Sequence, residues 1–365
     1  MQFTLENRRG CKARVDGREM TLFSSNDYLG LSAHAAVIAA ASEAASNFGA
    51  GTGGAPGTTG TTRIHEQLQE KIAAFKSRQR AVLFPSGYQA NQALHHALDS
   101  ERTVFIIDKR HHPSALDGVG LAKNSKVLRF EHSRLDELTH ILSEHLESTC
   151  VISLPSVFTV DGDIAPLDKL MSIKRNYGVV LILDEAHATG CLGKTGRGLE
   201  EHYNLKGSAD FIMGTFSKAL GSQGGFLAFD TAAEKYVHAP FRAHEYSTSL
   251  SAVSAAAALK AIEILESNPA LLEALHDSKN SILEECRNFG INLIARESMV
   301  MLLPCKNSVR LQELLFESGF LVIPVSARID NRIRDCLRIV PMATHSQDDI
   351  KLFAAALAKY KDLLD

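Results

Sequence analysis

Two residues with reactive side chains stand where buried strands are predicted to end. Asp184 closes the apolar run "VVLILD", and Lys218 follows "DFIMGTFS" just before the glycines of "ALGSQGG". Ligands of open α/β sheets bind at the carboxyl ends of the strands. Alone, Asp184 could be a helix cap and Lys218 a surface charge. Together they suit pyridoxal phosphate, because the lysine can form a Schiff base and the acid can keep the pyridine ring protonated.

The segment "LFPSGYQAN" predicts a place for the phosphate of such a cofactor. It has the pattern of a strand followed by Ser86, Gly87 and Tyr88 at the start of a helix. Exposed N–H groups and the helix dipole favour an anion at this position. A simple strand–helix turn is the alternative interpretation.

Two other motifs are similar to nucleotide sites. "DEAH" followed by "ATGCLGKT" looks like an ATPase acidic box and a phosphate loop, but Ala188 stands where that loop needs its first glycine. Asp184 also precedes the loop directly, so one strand end would have to form both walls of the site. "GAGTGG" (49–54) matches G-x-G-x-x-G, yet the segment before it has a helical pattern rather than that of a strand. An ATPase is therefore kept only as a rival hypothesis of a different class.

The elements that must position these residues alternate along the chain. Continuously apolar runs such as "TVFIID", "CVISLP" and "GGFLAF" predict strands that are buried on both faces. Segments such as "RIHEQLQEKIAAF" between them have helical spacing. The pattern predicts an α/β fold in which helices cover a large, mostly parallel sheet.

The pattern changes after about residue 250. Two long helices are followed by three strands, interrupted by a helix near 307–318, and by a last helix with Ser346 as its N-cap. This predicts a smaller α+β C-terminal domain. The expected division is an N-terminal segment, a large domain and a small domain, with the bounds 1–30, 31–255 and 256–365.

Composition excludes several classes of function. Of 365 residues, 45% are hydrophobic and 22% are charged, and the formal net charge is −3. Without a basic block, we expect no nucleic-acid partner, and no apolar run reaches the ~18 residues of a membrane span. The start has no signal-peptide pattern, and six scattered cysteines indicate free thiols in the cytoplasm. The histidine doublets at 95–96 and 111–112 lack ligand spacing, so no metal site is expected.

Six motifs occur in the order typical of one enzyme family: "FSSNDYLGL", "LFPSGYQAN", "SVFTVDGDIAPL", "LDEAHATGCLGKTGRG", "TFSKALG" and "YSTSL". Through them the chain resembles the α-oxoamine synthases over roughly residues 18–250, and more weakly beyond. The resemblance implies a fold-type I PLP-dependent transferase, an acyltransferase that condenses an amino acid with an acyl thioester and releases CO₂.

Among family members, the chain looks most like the enzyme of biotin synthesis that joins L-alanine to a pimeloyl thioester. The thioester would be carried by CoA or by an acyl carrier protein. Glycine or serine, with an acetyl, succinyl or long-chain acyl group, stay open as alternatives.

The resemblance also implies a role for each matching residue around the cofactor. Lys218 would carry pyridoxal phosphate and remove the Cα proton, while Asp184 would bind the pyridine nitrogen. His187 would bind the phenolic oxygen and His112 would stack on the ring, and either could polarise the new carbonyl. His111 would lie behind His112 or belong only to the loop. The remaining cofactor contacts implied are Gly87, Tyr88 and Thr215 at the phosphate, Thr159 near the ring, and Ser247 or Thr248.

For the substrate, the resemblance implies that Arg338 binds the amino-acid carboxylate. Asn26 and Tyr28 would lie near the substrate entrance. Ser247 or Thr248 would reach the phosphate in a neighbouring subunit, which implies a homodimer with shared active sites.

Overall fold

The structure is a computed structural model, and it describes residues 3–295, 297–330 and 332–365. Three sheets organise this part of the chain. The N-terminal strands and the elements of the large α/β part are, in chain order, β1 (Leu5–Arg9), β2 (Lys12–Val15), β3 (Arg18–Leu22), α1 (Ala35–Phe48), α2 (Arg63–Phe75), β4 (Arg80–Phe84), α3 (Gly87–Ala97), β5 (Thr103–Asp108), α4 (Pro113–Gly120), β6 (Lys126–Phe130), α5 (Leu135–Ser143), β7 (Thr149–Pro155), α6 (Leu167–Tyr177), β8 (Val180–Asp184), α7 (Leu199–His202), β9 (Phe211–Thr215), β10 (Gly225–Phe229), α8 (Arg242–Glu245) and α9 (Ala252–Ser267). The C-terminal elements are α10 (Ala270–Asn288), β11 (Ile294–Ala295), β12 (Met301–Pro304), α11 (Ser308–Glu317), β13 (Phe320–Leu321), β14 (Ile323–Ile329), β15 (Arg332–Ile339) and α12 (Gln347–Ala358).

The central sheet has seven strands in the order β4-β10-β9-β8-β7-β5-β6. Only β10 runs against its neighbours β4 and β9; the other neighbouring strands pair in parallel. Every residue of β5, β8, β9 and β10 is buried, as expected for strands covered by helices on both faces. The prediction of a large, mostly parallel sheet is confirmed.

The carboxyl ends of the central strands lie side by side. Pro155 at the end of β7 pairs with Asp184 at the end of β8, and Asp184 pairs with Met213 of β9. Gly225, which begins the antiparallel β10, pairs with Thr215 at the end of β9. One edge of the sheet therefore collects the ends of four strands, where α/β sheets bind ligands.

The C-terminal part forms a four-stranded antiparallel sheet, β11-β12-β15-β14, and α10 packs against α12. This confirms the smaller α+β unit. The run "FLVIPV" is not one strand, however, because the chain changes sheets at Val322 between β13 and β14. The predicted N-cap Ser346 is present and forms a capping box with Asp349. The domain bounds given above stay predictions.

Three N-terminal strands were not predicted. β1, β2 and β3 form an antiparallel sheet, and β13 adds to it in parallel through the pair Phe320 and Thr21. Two backbone bonds continue this connection: Val340 N donates to Phe23 O, and Ala343 N donates to Tyr28 O at 2.7 Å. Residues 23–28 are thus held by C-terminal backbone.

Within the described residues, no helix combines the length and the apolar character needed to cross a bilayer.

Candidate active site

A cavity of about 220 Å³ opens at the carboxyl edge of the central sheet. Eight of the residues predicted from sequence line it: Gly87, Tyr88, His112, Thr159, Asp184, His187, Thr215 and Lys218. The fold therefore brings together residues that are up to 131 positions apart in the chain, from Gly87 to Lys218. Five further predicted residues, Asn26, Tyr28, Ser247, Thr248 and Arg338, do not line this cavity.

Asp184 is held from two sides at the end of β8. Its side chain is buried, and Oδ2 accepts a hydrogen bond from Nδ2 of Asn91 at 2.9 Å. Oδ1 accepts one from the backbone N–H of Ala186 at 3.0 Å. A carboxylate fixed in this way can accept a further bond from a cationic N–H in the cavity.

Lys218 lies in the turn after β9, where Gly221 N donates to its carbonyl. Burial lowers the pKa of its amine to about 8, with the charge of Arg338 acting in the same direction and Asp184 opposing. At pH 7 roughly a tenth of such an amine is neutral, far more than for an ordinary lysine. In the described part of the chain no carboxylate forms an ion pair with this amine. Lys218 is therefore a nucleophile candidate.

His187 and Tyr28 form a buried pair beside the cavity. Oη of Tyr28 lies 2.7 Å from Nδ1 of His187. Burial, together with the charges of Lys218 and Arg338, lowers the pKa of His187 well below its ordinary value. Burial also raises the pKa of the Tyr28 hydroxyl. Both groups are thus neutral, and Tyr28 lies behind His187 rather than at an entrance to the cavity.

The turn between β4 and α3 has the geometry of an anion site. Ser86 is the N-cap, and its hydroxyl accepts from Gln89 N at 3.2 Å. The N–H groups of Gly87 and Tyr88 belong to the first helical turn, which has no intrahelical acceptor for them. A Cβ on Gly87 would lie 3.0 Å from Cβ of Thr215, and one on Gly225 would lie 2.6 Å from Cα of Gly87. These glycines keep the backbone accessible at the cavity.

Arg338 lies next to the site but behind its wall. The residue is buried on β15, and its Nε donates to the carbonyl of Thr159 at 2.8 Å. Both terminal nitrogens lie 3.3 Å from Oδ1 of Asn26, which is long for a hydrogen bond to a guanidinium. The contacts between Arg338 and Asn26 are therefore weak.

Ser247 and Thr248 follow α8 and stand apart from the cavity of their own chain. The neighbouring Ser249 donates its N–H to Gly54 O, so this segment packs against the glycine-rich loop before α2. The predicted contribution of Ser247 or Thr248 to a neighbouring subunit stays a prediction.

The loop "ATGCLGKT", which is similar to a phosphate-binding loop, folds around the side chain of Glu185. Glu185 of "DEAH" is buried and forms an ion pair with buried Lys76 at 2.5 Å. Its Oε1 accepts from Leu199 N at 2.7 Å, and a Cβ on Gly198 would lie 2.0 Å from its Oε2. Thr195, at the loop's hydroxyl position, donates to Glu201. The glycines of this loop fold the chain around Glu185, which explains the motif without a nucleotide.

Several buried polar residues behind the cavity were missed in the sequence. Asn91 and Ser114 touch the site, and buried His95 and Ser153 lie behind them, next to His111, which was expected behind His112 or in the loop. The sequence signal for Asn91 was its polar side chain at a position of the helix pattern, the last residue of "GYQAN", where a buried residue is expected. Among the described residues, no group of three or more His, Cys, Asp or Glu is arranged to hold a metal ion.

A second cleft of about 690 Å³ adjoins the first cavity and shares His112 and Thr159 with it. Its far wall comes from the hairpin of β14 and β15, with Ser326, Arg328 and Ile333. The side chain of Ile333 is open to solvent, since this residue is 74% exposed. The two adjoining spaces share one wall, formed by His112 and Thr159.

Comparisons with known proteins agree with this geometry. Residues 18–357 match the model of the family described as aminotransferase class I and II. The chain is 32% identical over 365 residues to serine palmitoyltransferase of Bacteroides ovatus, covering 99% of this chain and 92% of that protein. It is also 32% identical over 362 residues to 8-amino-7-oxononanoate synthase of Geobacter sulfurreducens, covering 98% and 92%.

Among solved structures, a serine palmitoyltransferase variant of S. paucimobilis has the same fold. That structure contains a bound PLP–myriocin aldimine, and it superposes with a TM-score of 0.91 at 26% identity. The superposition covers 99% of this chain and 92% of the other.

Proposed function

Since this chain belongs to the class I and II aminotransferase family and, within it, to the PLP-dependent α-oxoamine synthases, we propose that it condenses L-alanine with a pimeloyl thioester. The products are 8-amino-7-oxononanoate, CO₂ and the free thiol, as in biotin synthesis. The observation that carries the proposal is the single cavity in which Lys218, Asp184 and His187 meet.

The residues around the cavity fit pyridoxal phosphate. A lysine with a lowered pKa suits covalent attachment of an aldehyde, and Asp184 has a free accepting side for a protonated pyridine nitrogen. The backbone N–H groups of Gly87 and Tyr88, with Thr215 beside them, suit the phosphate. His112, which is exposed to the cavity, suits stacking on the ring.

When bound, pyridoxal phosphate supplies an electron-withdrawing ring that stabilises negative charge at Cα of the amino acid. Lys218 is the base proposed for the Cα proton, because burial keeps an appreciable fraction of its amine neutral. His187 is neutral and uses Nδ1 for Tyr28, so its Nε2 is left to act on an oxygen in the cavity. His112 or His187 would polarise the new carbonyl while CO₂ leaves.

Arg338 is proposed to bind the amino-acid carboxylate. Its guanidinium is held at one nitrogen by the carbonyl of Thr159, it interacts with the hydroxyl of Tyr28, and its contacts to Asn26 are long. A carboxylate that displaces Asn26 would gain a paired, charge-assisted contact. Asn26 would then contact Arg338 only while no substrate is bound.

The acyl half of the proposal depends on the second cleft. Lys109 pairs with Glu131 and Arg110 pairs with Asp161, whereas no ion pair with a carboxylate engages Arg328 among the described residues. A dicarboxylic acyl group such as pimeloyl ends in a carboxylate that Arg328 can bind. This supports a pimeloyl donor, on CoA or on an acyl carrier protein.

Serine with a long-chain acyl thioester is the second candidate. It is favoured by the equal identity to serine palmitoyltransferases and by the exposed apolar Ile333 at the cleft. Glycine with a shorter acyl group is a further member of the same class.

We further propose that the working enzyme is a homodimer with shared sites. Ser247 and Thr248 stand outside the cavity of their own chain, beside Tyr246, which is 72% exposed. A two-fold partner could bring these hydroxyls to the phosphate end of the other site.

One assay separates the candidates. Purified protein is incubated with alanine, glycine or serine and with acyl thioesters of increasing length, with and without a terminal carboxylate. Thiol release is measured and the product mass is determined. Preferred turnover of alanine with the pimeloyl thioester supports the proposal, and preferred turnover of serine with palmitoyl-CoA replaces it by the second candidate. A protein without near-visible absorbance and without thiol release would contradict both.

A further inference from the structure

Six residues behind the cofactor cavity form a closed circuit of hydrogen bonds. In order around the circuit they are Asn91, Ser114, His112, His111, Ser153 and His95. The contacts measure 2.8 Å from Asn91 to Ser114, 2.8 Å from Ser114 to His112 and 2.8 Å from His112 N to His111. The circuit closes with 3.1 Å from His111 to Ser153, 3.0 Å from Ser153 to His95 and 2.8 Å from His95 to Asn91 O. All of them except His112 are buried.

The direction of each bond follows from groups that can only donate or only accept. The backbone N–H of His112 donates to Nδ1 of His111, so the hydrogen of a neutral His111 is on Nε2 and points to Ser153. The carbonyl of Asn91 only accepts, so Nδ1 of His95 carries a hydrogen. Nε2 of His95 then accepts from the hydroxyl of Ser153. The assignment from His111 and the assignment from His95 therefore agree: the hydrogen bonds run from His111 through Ser153 to His95.

The histidines of the path are neutral. Burial lowers the pKa of His95 to about 4 and that of His111 to about 4. Partial burial also lowers the pKa of His112, whose Nδ1 accepts from the backbone N–H of Ser114 at 3.2 Å. A proton added to any of these rings would replace an acceptor by a donor and break the circuit.

Asn91 is where the circuit meets the site. One N–H of its amide is directed to Oδ2 of Asp184 at 2.9 Å, and the other to Oγ of Ser114. Its Oδ1 is buried and has no partner within the described residues. The amide cannot be reversed, because its oxygen would then face the carboxylate of Asp184. The two acceptors, Oδ2 of Asp184 and Oγ of Ser114, therefore fix the orientation of the Asn91 amide, and its Oδ1 is left unpaired in the described part of the chain.

We propose that Asn91 is a positioning residue of the active site: its amide orients Asp184 with one hydrogen and, with the other, orients the Ser114 hydroxyl, which supports the Nδ1-acceptor tautomer of His112 together with the Ser114 backbone N–H. One side chain thereby aligns the group proposed for the ring nitrogen and the group proposed for the ring face. The path through His111, Ser153 and His95 returns to the Asn91 backbone and holds that helix position in place.

This inference rests on the proposed roles of Asp184 and His112 in binding pyridoxal phosphate. A carboxylate that loses a donated hydrogen bond binds a proton more tightly. Removing the amide should therefore draw the ring proton towards Asp184 and weaken cofactor binding, by about tenfold.

The experiment uses holoenzyme loaded with pyridoxal phosphate that carries ¹⁵N in the ring. Asn91→Leu removes both donors at similar volume, and Ser153→Ala is a control that opens the circuit at an equally buried position without touching the amide. For Asn91→Leu we expect the ring ¹⁵N signal to move towards unprotonated pyridine and the cofactor Kd to rise about tenfold. For Ser153→Ala we expect a lower Tm with an unchanged ring signal.

Three results would overturn the inference: a folded Asn91→Leu protein with the wild-type ring signal and Kd, an equal shift in Ser153→Ala, or an unchanged His112 titration in Ser114→Ala. If Asn91→Leu does not fold, Asn91→Ala gives the same ring readout, and Ser114→Ala tests the second branch alone. Wild-type protein that binds no pyridoxal phosphate would instead contradict the proposed function, so the two failures are distinguishable.

Discussion

The hydroxyl of Tyr28 and Nδ1 of His187 are 2.7 Å apart, and both side chains are buried. This contact joins the segment after β3 to the loop after β8, which are 159 residues apart in the chain. Because Nδ1 is engaged, the tautomer and the ring orientation of His187 depend on Tyr28.

We expect Tyr28→Phe to lower kcat by about three- to tenfold, since one buried hydrogen bond is lost while the ring packing is kept. Steady-state kinetics measure this. Tyr203→Phe is a matched control, because Tyr203 packs against a histidine, His202, outside the cavity. Equal kcat in wild type and Tyr28→Phe would show that His187 does not depend on the hydroxyl.

Two lysines separate the chemistry proposed here from nucleotide hydrolysis. Lys218→Ala should lower the rate of condensation by at least about 10²–10⁴, the range of a lost acid–base group, and should abolish labelling by borohydride. Lys194 is the lysine of "ATGCLGKT", and its side chain is exposed. Lys194→Ala should therefore leave the condensation rate and the borohydride labelling unchanged. Peptide mapping after reduction checks the result. Labelling of the Lys218→Ala protein would rule this lysine out.

Reconstitution with the cofactor should depend on pH through Lys218. Its pKa is lowered to about 8, so the neutral amine that attacks an aldehyde is scarce below this pH and predominates above it. The rate at which apoprotein gains near-visible absorbance should therefore rise with pH and level off above about 8. A plateau reached only near pH 10, as for an exposed lysine, would contradict the burial of this amine.

Stability should depend on pH through His132. Burial opposes its positive charge, but hydrogen bonds to Asp108 and Asp163, each 3.1 Å long, raise the pKa of His132 to about 9. A raised pKa stabilises the folded state fully below the unfolded value of about 6.5, and this contribution is lost as pH rises through about 9. After screening by solvent it is about 1–2 kcal/mol. The free energies of unfolding of wild type and His132→Gln, measured with denaturant, should thus differ at pH 6 and become equal at pH 10. A difference that stays the same at both pH values would exclude this titration.

Arg328 tests the acyl half of the proposed reaction. Arg328→Gln should raise KM for a pimeloyl thioester about two- to fivefold, because an exposed ion pair is worth up to about 1 kcal/mol. KM for an uncharged acyl thioester should stay constant. Arg332→Gln, which changes an exposed arginine on the same hairpin, is the control. The same rise for charged and uncharged donors would indicate that Arg328 contacts the thiol carrier instead.

The sequence predicted the parts of the site that lie at strand ends. Asp184 and Lys218 follow continuously apolar runs, and buried parallel strands bring their carboxyl ends to one edge. Gly87 and Tyr88 were predicted to bind the phosphate because the N–H groups at the start of a helix have no partner within the helix. These assignments need only local patterns and the geometry of a parallel sheet.

Other features could not be derived in this way. Asn91, His95 and Ser153 acquire their roles through contacts between one helix and the sheet interior. A polar residue in a buried helix position can mark Asn91, but it does not identify the partners. The strands β1 to β3 were missed because they are short and rich in charged residues, and because β13, which completes their sheet, is about 300 residues away. Tyr28 was expected near an entrance, yet distant backbone at Ala343 holds its turn inside the molecule.

The hydrogen bonds from Val340 to Phe23 and from Ala343 to Tyr28 have a consequence for synthesis in the cell. The ribosome makes Tyr28 first, and the backbone that fixes it follows more than 300 residues later, as the numbering of these pairs shows. The residues of the central sheet, with Asp184 and Lys218, are all made before Tyr28 can form this backbone bond to Ala343. His187 therefore acquires a fixed partner only after the backbone around Val340 and Ala343 has been made.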